Sequence, residues 1–115
     1  MTCAKVKEFA HEGGRKLRIV ETKDISVKIN GREMQYVYRL LVKDYNNKKV
    51  YGLEVERRDI NNNQIVNIER ENIEKISSVK SKVKEMLDIL YKGIVSPIHV
   101  VDILGEEIDK CIAEI

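Results

Sequence analysis

Ile25-Ser26-Val27-Lys28-Ile29-Asn30-Gly31-Arg32-Glu33-Met34-Gln35-Tyr36 decides how this chain begins to fold. A two-residue type I′ turn needs positive φ at both central positions, and Asn-Gly accepts that conformation at the lowest steric cost. Taking Asn30-Gly31 as the turn sets Ile25 opposite Tyr36, Val27 opposite Met34, and Lys28 opposite Glu33 as an oppositely charged pair. The hydrophobic pattern agrees with that register. Ile25, Val27 and Ile29 share one face of the first strand, and Met34, Tyr36, Tyr38, Leu40 and Val42 share one face of the second.

Working outward, Asn46-Asn47 makes a second two-residue turn. It pairs Asp44 with Lys49, Val42 with Tyr51, Leu40 with Leu53, Arg39 with Glu54 and Tyr38 with Val55, so apolar meets apolar and charge meets opposite charge. A third turn falls within Asp59 to Gln64, where Asn61, Asn62 and Asn63 are turn formers, and Ile65 to Arg70 returns as a fourth strand that is expected to bury Val66 and Ile68. Upstream, Lys16 to Val20 begins the first strand or forms an edge strand of its own, with Glu21 and Lys23 marking a bulge. Residues 1–15 stay ambiguous between a strand and a helical turn, and Gly13-Gly14 reads as a plain turn because no phosphate-binding motif surrounds it.

After Ile73 the apolar period changes from two to three and four. Ile76, Val79, Val83, Met86, Leu87, Leu90 and Ile94 form a helical stripe, with Ser77 or Ser78 as N-cap and Gly93 as the left-handed C-cap. Ser96-Pro97 opens a second helix, whose stripe is Val101, Leu104, Ile108, Cys111, Ile112 and Ile115. The short connection makes the helices neighbours, and both need the one apolar face of the sheet. The expected fold class is α+β: an antiparallel β-meander of four to five strands with two C-terminal helices packed on one face. The 115 residues read as a single domain, with the sheet over 16–71 and the helical pair over 77–115.

Composition bounds the function. The chain is 43% hydrophobic and 35% charged, with 21 Lys+Arg against 19 Asp+Glu, which excludes a disordered chain and a uniformly acidic or basic one. No apolar run approaches a membrane span, and Lys5, Lys7 and Glu8 stand where a secretory signal would be apolar, so the expected location is cytoplasmic. Cys3 and Cys111 are then free thiols, with Cys111 a buried apolar residue of the last helix. His11 and His99 lack neighbouring ligands at metal spacing, and neither a metal nor a cofactor is expected.

The run Tyr51-Gly52-Leu53-Glu54-Val55, followed later by Val95-Ser96-Pro97-Ile98-His99-Val100-Val101-Asp102, resembles a small family of uncharacterised proteins from clostridia and related Gram-positive bacteria. The resemblance covers roughly Tyr36 to Ile112. It implies a short stand-alone bacterial cytosolic domain and assigns no site residues.

Three surfaces compete for function. His99, Asp102 and Glu106 share one face of the last helix, but no nucleophile accompanies them, so the set reads as a solvated face and the chain as a non-enzyme. Lys80, Lys82 and Lys84 crowd the start of the first helix, a candidate basic patch within residues 1–92, which hold 20 basic against 14 acidic groups. Mixed charges on the strands argue against a phosphate track, which leaves nucleic-acid binding as the alternative reading. Val20, Val37, Leu41 and Val50 fall on the outer sheet face and form a candidate interface for a protein partner or a second copy. The leading expectation is a regulatory or protein-interaction module, with no membrane role.

Overall fold

Asparagine corners set the architecture. In the computed structural model, which describes residues 8–10 and 16–115, φ is positive at both central residues of Asn30-Gly31, Asn46-Asn47 and Asn62-Asn63. Each pair therefore makes the tight reversal that matches the right-handed twist of the strands it joins. The corners delimit four strands of equal length: β2 (Lys16–Ile29), β3 (Arg32–Tyr45), β4 (Lys48–Asn61) and β5 (Gln64–Ser77). A short β1 (Glu8–Ala10) pairs with the start of β2. The result is one antiparallel sheet in sequence order. The ambiguous N-terminal segment is thus a strand at 8–10, while Cys3, His11 and Gly13-Gly14 lie outside the described residues.

The pairings expected from the first two corners are present, among them Ile25 with Tyr36, Lys28 with Glu33, Arg39 with Glu54 and Asp44 with Lys49. Three bulges modify the pattern, one of them beside the last corner, where Val66 of β5 is the extra residue opposite Asp59 and Ile60. Between Ile19 and Glu21 the register of β2 shifts by one residue. Between Ile73 and Ser77, β5 carries extra residues opposite Gly52. A bulge breaks the two-residue alternation, so Ile73 and Ile76 both turn toward the core although their spacing suggests a helix. That is why β5 continues to Ser77 and not merely to residue 71.

Helix α1 (Lys80–Gly93) follows at once and buries Val83, Met86, Leu87 and Leu90. Two expected stripe members differ: Val79 is the uncapped N-cap and Ile94 follows the helix, and both are exposed. Ser77 does not cap the helix end but accepts a hydrogen bond from the Val79 N–H at 3.0 Å. Ile94, not Gly93, takes the left-handed C-cap conformation, with φ 50°. Pro97–His99 forms a single 3-10 turn before α2 (Val100–Ala113). That turn rotates the second helix relative to the expected stripe, so Val100, Leu104, Ile108 and Cys111 are buried while Val101 and Ile112 face outward.

The core lies between one sheet face and the two helices. Tyr38, Leu40, Leu53 and Val55 supply the sheet side, and Tyr38 donates its hydroxyl to the carbonyl of Val95 at 2.9 Å, tying the sheet to the interhelical connection. Burial pushes the Tyr38 phenol pKa up, with a smaller push from Tyr36, so this donor stays protonated. Lys23 of β2 bonds Asp88 of α1 at 2.7 Å and sits 5.4 Å from the Tyr91 ring centroid, which fixes α1 across the inner strands.

The two layers differ in length. Fourteen residues at about 3.3 Å each make ribbons of about 46 Å, consistent with the 48 Å long axis. Fourteen helical residues at about 1.5 Å reach only about 21 Å. The helices therefore cover the half of the sheet near the Asn46-Asn47 corner, and the half carrying Asn30-Gly31 and Asn62-Asn63 extends beyond them.

Candidate interaction surface

The outer-face patch expected at Val20, Val37, Leu41 and Val50 is not an exposed patch. Val37, Leu41 and Val50 are buried, at 4%, 1% and 0% exposure, and Val20 is half-buried against the main core. Val20 is the extra residue of the β2 bulge, which turns it to the opposite face. The other three are buried outside the main core, on the opposite face of the sheet. Leu17, itself buried, pairs with Lys43, and Ile19 pairs with Leu41. The long side chains between them are drawn down along the sheet by ion pairs, so their stems shield the aliphatics.

Those ion pairs form a lattice centred on Glu56. Its side chain is nearly inaccessible and accepts hydrogen bonds from Arg39 at 2.9 Å, from Arg70 at 3.1 Å and from Arg58. Arg39 also reaches Glu54 at 3.0 Å, and Lys43 reaches across β4 to Glu74 at 3.2 Å. Burial raises the Glu56 pKa, but the three guanidinium bonds outweigh it and hold the carboxyl at about 2. The lattice sets Arg39, Arg58, Arg70 and Lys43 against Glu54, Glu56 and Glu74, so most of its positive charge is compensated within the protein, while Arg70 keeps an exposed side chain.

The three lysines of the expected basic patch are exposed but do not share one face. Lys84 approaches Glu21 of β2 at 3.5 Å, whereas Lys82 approaches Glu114 beyond α2 at 3.3 Å, on the other side of the helix. Residues two apart on a helix point in divergent directions. Their charge is thus divided and partly compensated. His99 and Asp102 lie 3.4 Å apart with both side chains well exposed, as a solvated helix start produces. Glu106 is exposed as well.

Exposed aliphatic side chains lie elsewhere, Ile89 on α1 and Ile103 on α2 singly, and others on and near β5. On β5, Ile65, Val66 and Ile68 are exposed, so the expected burial of Val66 and Ile68 does not occur at this end of the sheet, beyond the helices; among the described residues β5 is an edge strand, with one row of backbone groups unpaired. Above the same edge runs α2, which packs on β5 while α1 occupies β3 and β4. The Lys82–Glu114 contact marks the flank of α2 that meets α1. Val101 and Ile112 are exposed on the flank of α2 away from Glu114, and Ile98 is exposed in the preceding turn, which like α2 packs on β5. Ile98 is 65% and Val101 56% exposed. At period 3.6 either neighbouring face of this segment fits, so the apolar spacing alone puts Val101 and Ile112 in the core stripe. The signal that separates the faces is the Pro97 turn, which delays the helix start to Val100.

Among the described residues, no helix is long and apolar enough to cross a membrane, and no group of three metal-ligating side chains is gathered. A model of the family of unknown function DUF6514 matches residues 17–110. No curated protein and no solved structure matches the chain.

Proposed function

The chain belongs to the DUF6514 family of unknown function, and from that premise we propose that it is a non-enzymatic protein-interaction module with a regulatory role in the bacterial cytoplasm. The observation that carries this reading is the coincidence, on one side of the molecule, of an unpaired sheet edge and exposed aliphatics of a helix flank. An edge strand offers backbone hydrogen bonds to an added strand, and neighbouring apolar side chains supply the burial that holds it. Gln64 to Ile68 carries no charge that would repel such a partner.

Photo-crosslinking in living cells tests the reading. A benzophenone amino acid at Val101 is expected to give a discrete protein adduct, while the same probe at Lys28, on the opposite side of the sheet, gives none. Equal labelling at both positions, or none at Val101, removes the assignment.

A further inference from the structure

We propose that the partner taken up at this surface is a second copy of the chain, added by twofold antiparallel pairing of β5 with β5 about Asn72. The inference rests on the interaction reading above and narrows it to one occupant.

Residues directly opposite in an antiparallel pair share a sheet face. Twofold symmetry also requires that if one residue faces a second, the second faces the first. Together these conditions place the axis at a residue that opposes its own mate. The charges of β5 then choose among centres. At Glu69, Arg70 or Glu71 the axis would bring like charge against like. At Asn72 a neutral amide faces its mate, and Arg70 of each copy faces Glu74 of the other. Arg70 and Glu74 lie on the outer face, where Arg70 bonds Glu56 of β4 and Glu74 bonds Lys43 of β3, and the intermolecular pair adds to these bonds from the side of the free edge. Arg70 is 56% exposed and retains unpaired donors for a second carboxylate.

Centres at Asn67 or Ile68 also avoid like charges, but they slide the copies toward their uncovered ends and leave the helix flanks apart; a centre at Ile73 pairs only Glu71 with Lys75, whereas Asn72 pairs both Arg70 with Glu74 and Glu69 with Lys75. With the axis at Asn72 the second layer joins. The Pro97–His99 turn packs on β5, and the connection beside it is fixed by Tyr38, whose cross-strand neighbours are Val55 and then Glu71. Asn72 is the next residue. The start of α2 therefore lies at the level of the axis, and Ile98 and Val101 of one copy approach those of the other. One operation satisfies the free edge, the paired charges and the exposed aliphatics.

The test combines solution mass with cysteine trapping on the full chain. The wild type is expected to run at twice its 13.3 kDa mass in sedimentation equilibrium, and Ile98→Asp with Val101→Asp is expected to return it to monomer. Both positions are exposed, and an unchanged circular dichroism spectrum certifies that fold is kept. In a Cys3→Ser background, Asn72→Cys is expected to form an intermolecular disulfide under mild oxidation, whereas Lys28→Cys is not. A wild type that stays monomeric at the highest attainable concentration overturns the second copy, while the Val101 crosslink in cells decides independently whether another partner exists. A dimer that survives both aspartates and fails to trap through Asn72→Cys overturns this surface.

Discussion

Glu56 shows how much one buried carboxylate depends on its neighbours. Its folded pKa of about 2 lies below the ordinary 4.5. Its stabilisation is therefore complete above about pH 4.5 and is lost as the pH falls toward 2. Glu56→Gln is expected to cost on the order of 2 kcal/mol at pH 7, a gap to wild type that closes between pH 4.5 and 2 in urea titrations. A gap independent of pH would show that the carboxylate charge is not what the arginines need. Gly52 is the second such residue. A Cβ there would overlap the backbone of Ile73 and Glu74, where β5 bulges against β4. Gly52→Ala should cost about 3 kcal/mol, read as a lower denaturation midpoint, because main chain and not a side-chain tip must move. The sequence already paired Arg39 with Glu54. It concealed Glu56, because that site draws arginines from three strands at once, including Arg70, whose register depends on the third corner.

At the scale of elements, three corners and two helices were legible for local reasons. Asparagine tolerates positive φ, and period two is distinguishable from period 3.6. The ends of the helices were less legible. Gly93 was the natural candidate for a left-handed cap, yet the chain places Ile94 there, and a β-branched residue in that conformation is strained. The position is fixed by Val95, whose N–H bonds the Leu90 carbonyl and whose own carbonyl receives Tyr38. Ile94→Gly is accordingly expected to stabilise the protein by about 0.5–1 kcal/mol, the relief of strain exceeding the added chain entropy, and to raise the thermal midpoint. A lowered midpoint would mean that the Ile94 side chain contributes more than its backbone costs. Tyr38→Phe is expected to lose about 1 kcal/mol in the same assay, since it leaves the Val95 carbonyl without its buried donor.

For the molecule as a whole, the governing fact is a sheet roughly twice as long as the helices laid on it. Stability is then uneven along the strands. Amide hydrogen exchange is expected to be slowest around Leu40, Leu53 and Val55, which the helices cover, and faster by orders of magnitude toward Ile29 and Ile65. Uniform protection along β3 and β4 would contradict that gradient. The sequence by itself determined the order of strands and helices, the corners and most of the register, because each follows from the φ preference of one residue or the period of a short stretch. Only the tertiary structure decided which aliphatics stay exposed. It withdrew Val37, Leu41 and Val50 beneath paired side chains, turned Val20 inward through a bulge, and exposed Ile98 and Val101 beside the free edge. The physical reason is that coverage depends on what lies across the sheet and above it, and a one-residue shift in a bulge or helix start reverses the face a side chain presents.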